Sequence, residues 1–312
     1  MTGTGRQYRH LSSAQSSVGQ VRENNEDSIR LWAEDSQVLG VVADGMGGAA
    51  AGEEASRLAV QAIERGVPLP GQADDALIAA LTDKAIADAL TAAIRAGNLD
   101  ILELARRTPN MRGMGTTVTA AYVRGNHCIV AHVGDSRAYL VEAYPAGIEQ
   151  ITSDHSFVEA LVAAGHLTPD QAAEHPMKNV LYRALGQSDH VDVDLYELHL
   201  SPGDQLVLCS DGLTRHVSTP EIGEAAHASN DPQVVGGNLI NLANSRGGED
   251  NVSVIVIRIE AADQAGDADA DVVRLPNPQA EETLTLKSRG LLDDLITPPA
   301  PPDTPEDDAP AG

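Results

Sequence analysis

The feature that most constrains this chain is a repeated one: apolar, strand-like runs that begin or end at an acidic residue. Residues 38–43 run into Asp44-Gly45, and residues 205–210 run into Asp211-Gly212. Glu26-Asp27 stands just before residues 28–32, and Asp250-Asn251 just before residues 252–257. Carboxylates gathered at strand ends repel one another, and each loses hydration. A divalent cation offsets both costs, and an all-oxygen donor set selects a hard ion such as Mg2+ or Mn2+. The chain reads as built around a metal cluster.

The rest of the composition narrows the class. A formal net charge of -25 argues against nucleic acid, whose binding depends on neutralising phosphates with Lys and Arg, and against attraction to an anionic membrane surface. No apolar run approaches the roughly 18 residues of a membrane span, and residues 1–6 lack the apolar stretch of a secretory signal. Cys128 and Cys209 lie in apolar runs, which suits buried free thiols better than a disulfide framework. These features predict a cytoplasmic protein. Aromatic residues make up only 3% of the chain, so Ala, Val, Leu and Ile must fill its core.

Regular patterning ends near Glu260. Beyond it, residues 261–312 carry twelve acidic side chains against Arg274, Lys287 and Arg289, and are rich in Pro. Such a segment buries too little apolar surface to order itself, and it reads as a disordered tail. Leu284, Leu286, Leu291, Leu292, Leu295 and Ile296 are the exception, a possible short docking element. Within residues 8–260 the pattern predicts one domain. Helical spacing covers residues 55–63 and 74–107, the latter with a break at Gly97. Strands are predicted over 116–123, 128–133 and 137–141, with a hairpin turn at 124–127, and again over 195–200, 205–209 and 252–259. A short helix fits 238–244. Long helical blocks between groups of successive strands suggest an α+β layered sandwich.

Six motifs then occur in a fixed order: Arg22 to Asp27, Asp44-Gly45-Met46-Gly47-Gly48, Gly113-Met114-Gly115-Thr116-Thr117, Gly134-Asp135-Ser136-Arg137, Ser210-Asp211-Gly212 and Glu249-Asp250-Asn251. Together they resemble the metal-dependent Ser/Thr protein phosphatases of type 2C in their bacterial form, over roughly residues 8–259. The resemblance implies a four-layer α-β-β-α sandwich, with two central antiparallel sheets flanked by helices and two metals, Mn2+ or Mg2+, at one end. It implies that Asp44 bridges both ions, that the Gly45 carbonyl binds one, and that Asp211 and Asp250 complete the first ion's ligands. Glu26 supports the second ion, and Asp27 stands behind it in support. Asp135 belongs to a motif that can serve a third, weaker metal position; it also reads as a hairpin acid paired with Arg137. Water or hydroxide between the ions is the expected nucleophile, which paired cations would activate for in-line displacement at phosphorus. Arg22 is expected to hold the phosphate by a charge-assisted fork.

Two positions depart from the pattern. Some relatives carry His directly after the first Asp-Gly pair as a general acid, and this chain has Met46, which has no proton to give. His132 and His155 are the nearest substitutes by motif. Many relatives place Asp four residues after the second Asp-Gly pair, and this chain has Arg215, which cannot ligate a metal but could meet the substrate phosphate. Residues 152–186 match the family's flap beside the active site, where Asp154, His155 and Arg183 are candidate substrate contacts, each with solvation as the alternative.

The function implied is hydrolysis of protein phosphoserine and phosphothreonine, reversing a Ser/Thr kinase, by a monomer. Its partners would be the kinase or the kinase's substrates, with no nucleic acid and no membrane. A catalytically silent sensor or scaffold with the same fold is the alternative. An antagonist of anti-sigma factors is a further version, lacking its usual sensor domain before residue 20.

Overall fold

The computed structural model describes residues 8–72, 78, 80–262 and 271–274. Among them, β1 (Tyr8–Ser17), β7 (Arg137–Glu142), β8 (Gly147–Gln150), β10 (Gln205–Cys209) and β11 (Val252–Ala261) form one antiparallel sheet in the order β1-β11-β10-β7-β8. The second sheet runs β12-β9-β6-β5-β3-β2, from β12 (Asp271–Arg274), β9 (Asp194–His199), β6 (His127–Val133), β5 (Val118–Arg124), β3 (Gln37–Met46) and β2 (Asp27–Glu34), with β4 (Gly115–Thr116) beside β3. Helices α1 (Ala49–Gly66) and α2 (Asp83–Arg107) cover the second sheet, and α6 (Thr219–His227) and α7 (Pro232–Ser245) cover the first. The shorter helices are α3 (Phe157–Ala163), α4 (Pro169–Ala173) and α5 (Asp211–Thr214). This is the four-layer α-β-β-α sandwich that the resemblance implies.

Each central strand is buried on both faces, which is why it reads as an unbroken apolar run rather than an alternation. In β3, Leu39, Val41 and Ala43 face α1 and α2, while Val38 and Val42 face the other sheet. In β11, Ile255, Ile257 and Ile259 point between the sheets, and Val252, Val254 and Val256 meet α6 and α7. A one-residue slip of register would exchange these two cores, so the pairing is tightly specified. Cys128 and Cys209 are buried free thiols within these layers.

The differences from the sequence reading are local. Helix α2 runs through Gly97 without a break. A Cβ there would stand 3.0 Å from the Ala62 Cβ, so the missing side chain lets α1 and α2 cross closely instead of ending the helix. The helix read over 238–244 is longer, Pro232–Ser245, because Asp231 caps it by accepting from the Gln233 N–H. Strand β12 extends the second sheet past Glu260, pairing with β9. The leucine-bearing stretch 284–296 lies outside the described residues. No described helix is long and apolar enough to cross a membrane.

Candidate active site

The sheets deliver their acidic ends to one place. Asp44 ends the apolar part of β3, Asp211 opens α5 directly after β10, Asp250 precedes β11, and Asp135 lies in the turn between β6 and β7. With Glu26 and Arg22 from the β1–β2 loop, and with Arg215, they line one cleft of about 300 Å3. Gly45 and Gly212, the second members of the two Asp-Gly pairs, are glycine for a packing reason. A Cβ on Gly45 would fall 2.1 Å from the Gly52 carbonyl oxygen, and one on Gly212 would fall 2.0 Å from the Asn251 carbonyl oxygen. The close approach of these backbones brings the carboxylates together.

Asp27 stands directly opposite Asp44 across the β2–β3 pair. Like charges so placed destabilise a sheet. Its side chain is turned away from the cleft's lining and accepts hydrogen bonds from the hydroxyls of Ser210 (2.8 Å) and Ser253 (2.6 Å), tying β2 to the ends of β10 and β11. Desolvation, resisted by those two hydroxyls and reinforced by Asp211 and Asp250, pushes its carboxyl up to about 7. Asp135 is pushed up to about 8, by desolvation first and then by Asp211 and Asp154. Asp44 is raised well above the ordinary range by desolvation and by Asp27, Asp211, Asp135 and Asp250, and Asp211 and Glu26 are raised chiefly by desolvation.

Two guanidiniums share this negative charge. Arg22 Nη2 lies 3.0 Å from Asp250, and its Nη1 lies 3.6 Å from Glu26 Oε1. Arg215 donates to Asp211 Oδ2 through Nε at 3.0 Å and through Nη2, and its Nη1 lies 3.2 Å from Asp250 Oδ2. One oxygen remains unmatched: Asp211 Oδ1 is buried and has no hydrogen-bond partner. A buried, unpartnered carboxylate oxygen amid raised acids is what a bound cation would satisfy, and the donor set is all oxygen. The residues fit a hard divalent ion.

The supporting frame was not singled out from sequence. Thr117 Oγ1 accepts the Asp44 N–H at 3.0 Å, and the Thr117 N–H and the Thr116 hydroxyl both donate to the Asp44 carbonyl, at 2.9 and 2.8 Å. Asn251, buried beside Asp250, accepts the Glu26 N–H at 2.7 Å and donates to the carbonyls of Val18 (3.0 Å) and Asn24 (2.9 Å). It fastens the whole Arg22–Glu26 loop to β11. The Gly-Thr-Thr and Asp-Asn motifs already held these residues; their polar partners are far away in sequence.

The flap candidates stand elsewhere. Among the described residues, Asp154, His155 and Arg183 of the flap and His132 of β6 are all buried, and none of the four lines this cleft. Asp154 is clasped by Arg137 through Nε at 2.9 Å and Nη2 at 2.7 Å, so Arg137 pairs with it and not with Asp135. Arg183 donates to Asp194 Oδ1 at 2.7 Å. His155 Nδ1 accepts the Gly134 N–H at 3.0 Å, which places its own proton on Nε2, facing Asp194 Oδ2 at 3.1 Å. Both ring nitrogens are thus engaged, and burial lowers the ring's basicity. His132 stacks against it with ring centroids 4.8 Å apart, and burial depresses it to about 3. Neither histidine is placed as a general acid; Asp154 lines an adjoining cavity together with Asp135, Asp211 and Arg215, whereas His155 and Arg183 bond inward to Asp194. The Phe157 N–H meets the Val180 carbonyl at 2.7 Å and the Tyr182 N–H meets the His155 carbonyl at 3.0 Å, closing the base of the segment that carries α3 and α4.

Comparison with known proteins agrees with this geometry. Residues 15–232 match the family model described as protein phosphatase 2C. The chain is 36% identical over 251 residues to the serine/threonine phosphatase Stp of Listeria monocytogenes, covering 80% of this chain and 96% of that one. Among solved structures, the Mycobacterium tuberculosis serine/threonine phosphatase PstP aligns with a TM-score of 0.70 at 38% identity, over 81% of this chain and 99% of that one. The catalytic domain of PstP in complex with two manganese ions aligns with a TM-score of 0.68 at 37% identity, again over 81% and 99%.

Proposed function

The chain belongs to the protein phosphatase 2C family and is a metal-dependent serine/threonine protein phosphatase, and we propose that its two cations are held by Asp44, the Gly45 carbonyl, Asp211 and Asp250, with Glu26 beside them. The observation that supports this most directly is the buried, unpartnered Asp211 Oδ1 within the ring of raised carboxyls. Mn2+ or Mg2+ suits the all-oxygen set, and such ions, when bound, supply charge stabilisation at phosphorus and an ionised water near neutral pH. The catalytically silent alternative falls, because relatives covering most of the domain at 36–38% identity are serine/threonine phosphatases.

The chain's own residues do the positioning. Asp27 takes no substrate; through Ser210 and Ser253 it fixes β2, the strand paired with the one that presents Asp44. Arg22 is 46% exposed in its side chain and lines the cleft, where its guanidinium grips the phosphate of the incoming residue. Met46 lines the cleft without a proton, and His132 of β6 and His155 of the flap are bonded elsewhere, so the departing serine or threonine oxygen takes its proton from solvent water. Asp135 lines the same cleft, and Arg215 and Arg137 offset only part of the rise in its carboxyl; only the two ions are proposed. Substrates are phosphorylated proteins, in keeping with reversal of a Ser/Thr kinase by a cytoplasmic monomer. The catalytic unit reaches past the expected boundary at Glu260, since β12 pairs with β9, and the acidic residues beyond that strand are the appended tail.

The test is hydrolysis of a phosphothreonine peptide by the full chain across an Mn2+ titration, beside Asp44→Asn and Asp211→Asn. Both variants are expected to lose turnover by a factor of a hundred or more and to bind Mn2+ more weakly. Wild-type turnover by Asp44→Asn would overturn the assignment of the ligands.

A further inference from the structure

A second group of metal-ligating side chains stands at the opposite end of the second sheet. His127 opens β6 and lies directly across from His199 at the end of β9. Glu197 is two residues back along β9, so it shares that face of the sheet. The face is the helix side: Ile129 and Ala131 of β6, on the same face as His127, belong to the core beneath α1 and α2. One ligand atom from each of His127, Glu197 and His199 lies within 4.8 Å of the other two. Asp135 lies beyond the far end of β6, roughly 25 Å away by the rise of a strand, so this group is separate from the catalytic cleft.

Three observations favour a ligand here. The imidazoles are held by strand pairing, with ring centroids 4.4 Å apart, so both nitrogens and the carboxylate are fixed before anything binds. Asp83 Oδ2 lies 3.2 Å from His127 Nδ1, and Asp83 is itself held by Arg124 Nη2 at 2.7 Å. A carboxylate beside a ligating imidazole is the usual device for orienting the ring and raising its basicity. Access is open, since the His127 side chain is 39% exposed. Two imidazole nitrogens and one carboxylate select a borderline cation, unlike the all-oxygen cleft that selects a hard one.

We propose that His127, Glu197 and His199 form a transition-metal site of the Zn2+ class, apart from the catalytic ions. Such an ion has three protein ligands and one position left for solvent. It clips the β5–β6 hairpin end to β9, beside the first turn of α2 that Asp83 begins.

The test is Zn2+ binding to the full chain in excess Mn2+, by competition with a chromophoric chelator, for the wild type and for His127→Ala/His199→Ala. Any Zn2+ entering the catalytic cleft is common to both proteins, so the difference reports this site. Wild type is expected to take one more equivalent of Zn2+ than the double variant, and Asp83→Asn to weaken that equivalent about 10-fold. Zn2+ should also raise the melting temperature of the wild type above that of the double variant, and Mn2+-supported peptide hydrolysis should be equal in both. Equal Zn2+ stoichiometry in the two proteins overturns the proposal. Should the double variant fail to fold, Glu197→Gln carries the same comparison, and Zn2+ binding unchanged in it also overturns the proposal.

Discussion

The two arginines of the catalytic cleft differ in what they touch, and so in what their removal should do. Arg22 bridges Glu26 and Asp250 at the cleft mouth, with nearly half of its side chain exposed. A charge-assisted hydrogen bond to phosphate contributes about 1.5–3 kcal/mol, so Arg22→Ala should raise the KM for a phosphopeptide at least tenfold, with a smaller effect on kcat. Steady-state kinetics at saturating Mn2+ check this; a fall in kcat at constant KM would contradict it. Arg215 instead lies against Asp211 and Asp250, two of the proposed ligands. Its charge opposes an entering cation, so Arg215→Ala should lower the Mn2+ concentration needed for half-maximal activity several-fold. Asn251, beside them, holds three backbone groups of the Val18–Glu26 segment. The residue letters alone marked Arg215 as a departure; its partners at positions 211 and 250 came from the fold.

The elements are specified by burial on two faces more than by intrinsic propensity. Strand β11 sends isoleucines into one core and valines into another, and that is why its unbroken apolar run was legible as a strand. Strand β1 went unread because Tyr8–Ser17 is an edge strand rich in Ser and Gln, half-buried along most of its length, whose place is set by pairing with β11. Gly97 shows the opposite case, a local breaker signal overridden by packing. Its lack of a side chain allows α2 to approach Ala62 and the backbone of Ala59, so the glycine serves the interface. Gly97→Leu should therefore destabilise the domain by about 1–3 kcal/mol, despite leucine's better helix propensity. Thermal unfolding of the Mn2+-loaded protein decides it, and an unchanged or higher melting temperature would show that the helices can separate at no cost.

For the molecule as a whole, the gathered acids make stability depend on pH and cation together. Without metal, Asp27 stands at about 7 and Asp135 at about 8, against roughly 4 for a carboxyl in the unfolded chain. The folded state then keeps protons that the unfolded state has released, so its stability falls as pH rises through that window. Chelated protein should melt higher at pH 6.5 than at pH 8.5, and Mn2+ should remove most of the difference by taking the protons' place. A chelated melting temperature that rises between those values would contradict the clustering. Below about 6.5 the gain per unit of acidification shrinks, because buried neutral His132 then favours the unfolded chain, where it can protonate, and this offsets one of the two extra protons the acids keep. The order of motifs, the residue types of the cleft and the two-sided hydrophobicity of the strands were all determined by the sequence, since donor chemistry and burial are properties of the residues themselves. Tertiary structure alone decided that His155 and Arg183 bond to Asp194, that Asp154 is clasped by Arg137, and that Arg215 lies on two of the proposed ligands. It also set His127 against His199. Each of these depends on a partner brought close by sheet pairing or by a crossing between layers, as Asn251 is brought to the Glu26 N–H across 225 residues. Composition, periodicity and motif spacing carry no record of such distances.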